Sequence, residues 1–527
     1  MASVRKTLMI VVVAAAVVAV GAFASLLAYS AFVDRVQGAP TRALAPPTRL
    51  AEGGALTRID ELILPQTLAH PGQTGLALLT GNTDAFAARA LSARHAGRSL
   101  DLQYYLWHDD LTGRLLAAEA LAAADRGVRV RLLVDDMSAH GTDGALRILA
   151  DHPNIDVRMF NPSRNRGGSI GRAVEMLFRG VSLNRRMHNK AWIVDGQLAI
   201  VGGRNIGDEY FDAAEDTNFL DADVLLLGPA VGQTATIFDE YWASAAVVPI
   251  EALAEPGELS LDELRARLMQ VAQSEQAQPY MTYLARARRV HQLIHGDATL
   301  HWDTHARVYS DPADKALGVQ DMPRWLITPI MKETRAARES LILISPYFVP
   351  GAQGTLELTG LARAGVEIDI LTNSLASNDV MAVHSGYARY RRALLGAGVQ
   401  LHELMPFGDT SNSLFGSSGA SLHTKAFTVD GSLGFVGSFN FDPRSVQLNT
   451  EMGVMFHSEA LVAEINALYR LHSASDKSYG LSLDRGEVRW QDARQDPPRI
   501  WRTEPETTVW QRLIVELLGW LPIEQQL

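Results

Sequence analysis

The sequence predicts a duplicated α/β protein: two units in one chain, each a central mixed sheet flanked by helices, behind an N-terminal transmembrane helix. Three observations carry that prediction. The order strand, glycine-terminated helix, strand occurs in both halves of the chain. A polar pattern, H-x-K, four residues, D-G, five residues, G-x-x-N, also occurs twice, as "HNKAWIVDGQLAIVGGRN" and "HTKAFTVDGSLGFVGSFN". Finally, 26 residues from Leu8 to Val33 carry no charge, and Arg5 and Lys6 stand before them.

Each element is justified in turn. As a helix, Leu8–Val33 would be roughly 39 Å long, enough to cross a hydrocarbon core. The basic residues in front stay cytoplasmic, which sends the rest of the chain to the outer side of that membrane. Ala22-Phe23-Ala24 offers a small-x-small cleavage site, but the apolar run continues past it, so a retained anchor (residues 1–35) is expected rather than a cleaved signal peptide. Residues 36–80 are rich in Pro, Ala, Arg and Gly and form a linker with one short helix.

The first unit, residues 81–250, opens with the strand "RSLDLQYYLWHDD", the amphipathic helix "TGRLLAAEALAAADRG" and the strand "VRVRLLVDD". The second, residues 321–475, repeats the order as "ESLILISPYFVP", "GTLELTGLARAG" and "VEIDILTNS". Strand–helix–strand order implies right-handed parallel units. Residues 251–320 read as a helical connector. The tail, 476–527, ends in a helix with Trp510, Leu513, Leu517 and Trp520 on one stripe. That stripe is expected to pack against the body; a seat in a membrane interface is the alternative.

Composition narrows the function. The formal charge is −11 over 527 residues, which weighs against a broad nucleic-acid footprint. There is no cysteine, so disulfides, thiolate metal sites and a cysteine nucleophile are excluded.

The repeated polar set has a chemical reading. In a strand, His188 and Lys190 point to one face and Asn189 to the other. Asp195-Gly196 is a hairpin signal, so Asp195 and its counterpart Asp430 are expected to fix turns, with orientation of a histidine ring as the alternative role. Gly202-Gly203 lets the backbone crowd a ligand before Asn205. His423, Lys425, Gly437, Ser438 and Asn440 repeat the set. Phosphoryl transfer from a diester needs a nucleophile, a proton donor for the leaving alkoxide, and cations around the nonbridging oxygens. Two imidazoles can divide the first two tasks. Lys190, Lys425, Asn205, Asn440 and Ser438 would hold the phosphate, with no metal or other cofactor required. Each repeat then supplies half of one site.

These motifs resemble the phospholipase D superfamily over nearly all of residues 80–475. "RRMHNKAWIVDG", "VGGRNIGDEYF", "LTNSLASNDV", "HSGYARYRR" and "GSFNFDPRSVQLNTEMG" are similar to bacterial cardiolipin synthases, nearest the type C branch. The resemblance implies a phosphatidyl group passed through a phosphohistidine to phosphatidylglycerol, with His188 as nucleophile and His423 as acid. It also implies a carboxylate behind each histidine. Glu451 fits in the second half. In the first, "DTNFLDADV" offers Asp216, Asp221 and Asp223, of which Asp221 is taken. Phosphatidylglycerol and phosphatidylethanolamine are the donors to consider, some relatives work with a small accessory protein, and the location implied is the bacterial inner membrane with the catalytic units on the periplasmic side. Nucleic acid is not an expected partner.

The same machinery with water as acceptor would be a phospholipase D or, against the acidic charge, a nuclease. A catalytically dead, membrane-tethered scaffold would not be expected to keep both polar sets. Tyr104, Tyr105 and Trp107 are read as core or cleft lining, Asn378-Asp379 as a helix N-cap, and His384 and Tyr387 as a helix face beside the pocket or in solvent. The loops "RNRGGSIG" and "FGDTSNSLFGSSGAS" are expected to border the entrance.

Overall fold

The computed structural model describes residues 55–139, 143–163, 175, 179–180, 182–255, 257–296, 298–378, 380–406, 419–521 and 524–527. The anchor expected at Leu8–Val33 and the loops 164–171 and 407–418 lie outside the described residues. Among those described, no helix is long and apolar enough to cross a membrane.

The first unit is built on strands β1 (Thr74–Leu79), β2 (Ser99–Tyr104), β3 (Arg129–Asp135), β4 (Ile155–Phe160), β5 (Ala191–Val194), β6 (Leu198–Gly202), β7 (Thr217–Leu220), β8 (Asp223–Leu227), β9 (Val247–Pro249) and β10 (His301–Asp303). All but β7 form one sheet in the order β10-β1-β8-β6-β5-β2-β3-β4-β9. The second unit has β11 (Arg307–Ser310), β12 (Ser340–Ile344), β13 (Glu367–Asn373), β14 (Gln400–Leu404), β15 (Gly419–Leu422), β16 (Ala426–Val429), β17 (Leu433–Gly437), β18 (Met452–Phe456), β19 (Ser478–Asp484), β20 (Glu487–Asp492) and β21 (Arg499–Trp501). Its sheet runs β11-β18-β17-β16-β12-β13-β14-β19-β20-β21. In both sheets the strand–helix–strand segments pair in parallel, β2 with β3 and β12 with β13, while the H-x-K hairpins β5–β6 and β16–β17 pair antiparallel. The sheets are therefore mixed, as expected.

Side-chain alternation sorts the residues of each hairpin between two cores. Ala191, Ile193, Ala199 and Val201 enter a core shared by both units, where they meet Ala426, Val436, Met452 and Val454. Trp192, Val194, Leu198 and Ile200 face the first unit's outer core. Phe427, Val429, Leu433 and Phe435 do the same in the second. The duplicated sheets thus stand back to back, and the polar starts of the two hairpins reach the same place.

The helix Leu111–Asp125 begins where Asp110 accepts from the Gly113 N–H, and Gly127 follows it in the left-handed region at φ 94°. The sheets take in more chain than the composition suggested. β1 lies in the expected linker, β10 and β11 of the connector join opposite sheets, and β19–β21 of the tail extend the second. Short strands with mixed polarity such as His301–Asp303 give no clear period, which is why the boundaries shift.

The C-terminal helix Val509–Trp520 also departs from expectation. It buries Val515 and packs on helix Met381–Ala388. Its stripe of Trp510, Leu513, Leu517 and Trp520 faces outward, with Trp510 73% and Trp520 79% exposed, so these residues do not pack on the body. Helix Met381–Ala388 is capped at Val380, whose N–H donates to the Asn378 side chain, so Asn378 sets the turn before the cap. His384 and Tyr387 are buried rather than solvated.

Candidate active site

Each H-x-K set sits just ahead of an inner strand, and its backbone is clamped to the other repeat. Met187 bridges in parallel to Thr450; the His188 N–H donates to the Thr450 carbonyl and the Thr450 N–H to that of Arg186, both at 2.8 Å. On the other side β15 pairs in parallel with β7, and the N–H groups of His423 and Thr424 both donate to the Leu220 carbonyl. These two crossings place Glu451 beside His188 and Asp221 beside His423.

The side chains complete the exchange. His188 Nδ1 donates to Glu451 at 2.8 Å and also faces the Ser438 carbonyl at 3.1 Å. His423 Nδ1 lies 2.6 Å from Asp221. With Nδ1 committed to an acceptor, Nε2 of each neutral ring carries the free lone pair. Both orienting carboxylates come from the opposite repeat, whereas the sequence reading had sought each within its own half. Of the first-half alternatives, Asp223 is tied to Arg89 and Arg204.

Lys190 and Lys425 are about 99% buried, and each donates at 2.6 Å to the carbonyl of the histidine two residues before it. Lys425 Nζ also lies 3.0 Å from His423 Nδ1. Burial pushes the His188 imidazole down to about 4; Glu451 opposes this and Lys190 adds to it. Burial, then Lys425, lowers His423 against the pull of Asp221. Burial lowers Lys190 well below its ordinary value. For Glu451 and Asp221 burial works upward, but the facing histidines and lysines prevail and hold both below the usual carboxylate range. The site thus holds two neutral imidazoles beside two ionised carboxylates.

The half-sites differ in detail. The Asn205 side-chain carbonyl accepts from the Leu106 N–H and its amide donates to the Tyr210 hydroxyl, which leaves its second amide hydrogen unbonded among the described residues. The Asn440 side-chain carbonyl has no partner among the described residues. His188 meets Tyr105 edge-on at 5.1 Å, and Lys190 Nζ lies 5.3 Å from that ring. His423 is stacked on Phe219 at 4.9 Å and meets Tyr210 edge-on at 5.2 Å. Tyr104 and Trp107, by contrast, are core residues.

Ser438 departs from its expected place on the phosphate. Its hydroxyl donates to Glu451 at 2.5 Å and accepts from the Met452 N–H, so it braces the carboxylate behind His188. Ser445 donates to the other Glu451 oxygen at 2.8 Å. Gly203 holds the position equivalent to Ser438, and a Cβ there would meet Asp221 Oδ1 at 2.3 Å. The longer acid thus goes with a serine and the shorter acid with a glycine. Gly202 and Gly437 likewise make room for the adjacent strand, at Asp223 and Met452, rather than for a ligand.

Asp195 and Asp430 serve the hairpins. Both have left-handed φ, at 53° and 48°, followed by Gly196 and Gly431 at 67° and 65°, the sign pattern of a type I′ turn. The Asp195 carboxylate accepts from the N–H groups of Gly97, Arg98 and Ser99; Asp430 accepts from those of Arg338, Glu339 and Ser340. Each fastens its hairpin to the start of the neighbouring strand, β2 or β12.

Two supporting groups complete the site: Arg204, which stands where the second repeat has Phe439 and so makes the half-sites unequal, and Ser445, for which the sequence offers no signal. The fully buried Arg204 donates to the carbonyls of Leu79, Thr80 and Asp221 and to Asn82, so it fixes the backbone that carries Asp221. Ser445 was hidden inside a helix start. Among the described residues, His108, Asp110 and Glu209 bring three candidate metal-donor atoms within 4.8 Å of one another, but Asp110 already accepts from Gly113 and Asp208.

Two back-to-back units with crossed histidine–carboxylate pairs and paired lysines define a two-repeat enzyme of the phospholipase D superfamily. The model of the "Cardiolipin synthase, PLD-like domain" family matches residues 92–242 and 330–471. Cardiolipin synthase C of Escherichia coli is 42% identical over 89% of this chain and 99% of its own length. Cardiolipin synthase A of Pseudomonas syringae is 25% identical over 71% of this chain and 63% of its own. The crystal structure of phosphatidylserine synthase from Haemophilus influenzae has the same fold, with a TM-score of 0.57 at 13% identity over 88% of this chain and 99% of that one. The chain belongs to the cardiolipin synthase family of phospholipase D-superfamily phospholipid transferases.

Proposed function

We propose that the protein makes cardiolipin by moving a phosphatidyl group through a phosphohistidine at His188 to phosphatidylglycerol. The observation that carries this reading is the pair of crossed dyads, His188–Glu451 and His423–Asp221, each beside a buried lysine. His188, neutral and with Nε2 free, attacks phosphorus; a P–N bond forms as the P–O bond to the donor's headgroup alcohol breaks. His423 passes a proton to the departing oxygen. The incoming phosphodiester anion favours the imidazolium form that this donation needs. In the return step His423 removes the proton from a phosphatidylglycerol hydroxyl, that oxygen attacks phosphorus, and the P–N bond breaks. Lys190, Lys425, Asn440 and the remaining Asn205 hydrogen face the nonbridging oxygens. The donor is phosphatidylglycerol or phosphatidylethanolamine. Leu8–Val33 anchors the chain in the inner membrane, with both units on the periplasmic side.

The test is incubation of the full chain, reconstituted in vesicles, with labelled phosphatidylglycerol, with and without phosphatidylethanolamine. Cardiolipin as product supports the reading and identifies the donor. Phosphatidic acid alone would make water the acceptor and overturn it.

A further inference from the structure

In the second unit a cavity of about 370 Å³ lies between the sheet and the helices Ile327–Arg335 and Gly351–Arg363. Leu343, Phe348, Phe439 and Phe441 line it from the sheet side, and Ile330 and Leu358 from the helices. Phe439 and Phe441 are the residues on either side of Asn440. The charged groups on its wall have partners. Arg335 pairs with Glu357 at 2.6 Å, Gln353 donates to the same carboxylate, and Asp442 accepts from the Ser445 N–H.

The first unit has the same frame with larger side chains in it. The His108 N–H donates to the Ile206 carbonyl at 2.9 Å as the Val349 N–H donates to that of Phe441 at 2.7 Å, so Trp107 corresponds to Phe348. By the repeat, Trp192 corresponds to Phe427. Trp107 and Trp192 stack at 6.5 Å, and the Trp107 indole donates to the Gly113 carbonyl. The second unit has the smaller phenylalanine at both positions, and Phe348 lines its cavity. The pocket is partly open to solvent, and its volume falls in the range of ligand sites.

We propose that this cavity receives a fatty acyl chain of a phospholipid substrate. The inference rests on the lipid-transferase reading and names where the hydrocarbon goes. A lining of aromatic and aliphatic groups beside Asn440 suits a chain whose phosphate sits at the dyads, and its charged groups are already paired with protein groups. The tail leads to the same place. Helix Val509–Trp520, with its outward tryptophans, runs on to Glu524 and Gln525, which form one wall of the cavity. Tyr390 and Arg389 hold Glu524 there at 2.7 and 3.2 Å.

The experiment compares wild type with Leu358→Trp and Met331→Trp, both at lining positions where the larger ring fills the cavity, in reconstituted full chain. Transfer is measured on dioleoyl- and on dihexanoyl-phosphatidylglycerol. Each variant should lose about tenfold on the long-chain lipid, as expected when two or so methylenes lose their apolar contact, and keep its rate on the short one. Equal losses on both lipids, or none on either, would overturn the inference. Photolabelling of wild type with phosphatidylglycerol carrying a diazirine at the acyl terminus needs neither a folded variant nor turnover. Adducts should fall in 327–335 and 351–363; adducts only elsewhere would overturn the inference. Wild type that labels there but transfers nothing would sink the transferase reading alone.

Discussion

Glu451 holds the ring of His188 at 2.8 Å across 263 positions of chain, and Asp221 holds His423 across 202. The two repeats therefore do more than present their histidines to each other, since each orients the histidine of the other. A unit on its own would carry a histidine with the wrong carboxylate. Duplication in one polypeptide guarantees the exchange, and the shared core of Val201, Val224, Val436 and Val454 holds the crossings in register.

Glu451→Gln keeps an oxygen for Nδ1 but removes the charge that stabilises a charged ring. We expect kcat to fall by about 10²- to 10⁴-fold with little change in KM, as for other carboxylates that orient a catalytic imidazole. The double variant with His188→Ala should be no worse than His188→Ala alone, because the two side chains act as one unit. Additive losses, measured in the lipid transfer assay, would show that Glu451 serves something else.

Gly203→Ala tests the matched pairing of acid and small residue. A methyl group at this position meets Asp221 Oδ1 at 2.3 Å and must push the carboxylate away from His423. The expected result is a loss of about 10- to 100-fold in turnover, with the unfolding midpoint nearly unchanged. Ser438→Gly in the second repeat creates no clash but frees Glu451 of one donor, so it should cost less. Equal losses from the two variants would contradict the pairing.

Asp195→Ala should act on stability before chemistry. Three backbone N–H groups lose their acceptor at a buried turn, a cost of about 2–3 kcal/mol. Asp430→Ala should cost less because its turn is partly exposed. Urea unfolding and transfer rate, measured on the same preparations, check the separation. Full stability with lost activity would move Asp195 into the chemistry.

The polar set was legible because a period of two and a D-G turn place His, Lys and Asn without tertiary information. The strand–helix–strand order was legible for the same reason, in Ser99–Asp135 and Ser340–Asn373. What could not be read is what crosses between the repeats. Nothing local in "NTEMG" says that Glu451 faces His188 rather than His423, because parallel bridges such as Met187–Thr450 depend on how the two sheets stand against each other. Ser438 looked like a phosphate ligand for the same reason, as its partner Glu451 arrives on another strand. The tail stripe misled differently. Trp510 and Leu517 have the spacing of a packed face, yet the body covers Val515 on the other side of the helix.

The depressed pKa of His188 fixes the sign of the pH dependence. A base that must be unprotonated to attack stays available down to its own pKa, so kcat/KM for phosphohistidine formation should keep its acid limb near 4 rather than near the ordinary 6.5. Burial is the main cause, with Lys190 depressing the ring further and Glu451 raising it. Lys190→Met removes a depressing charge and should move the limb to higher pH. Glu451→Gln removes a raising charge and should move it lower, even as both variants slow the reaction. Opposite displacements in quenched-flow trapping of the phosphoenzyme are the expected result, and displacement in one common direction would mean that the limb belongs to another group.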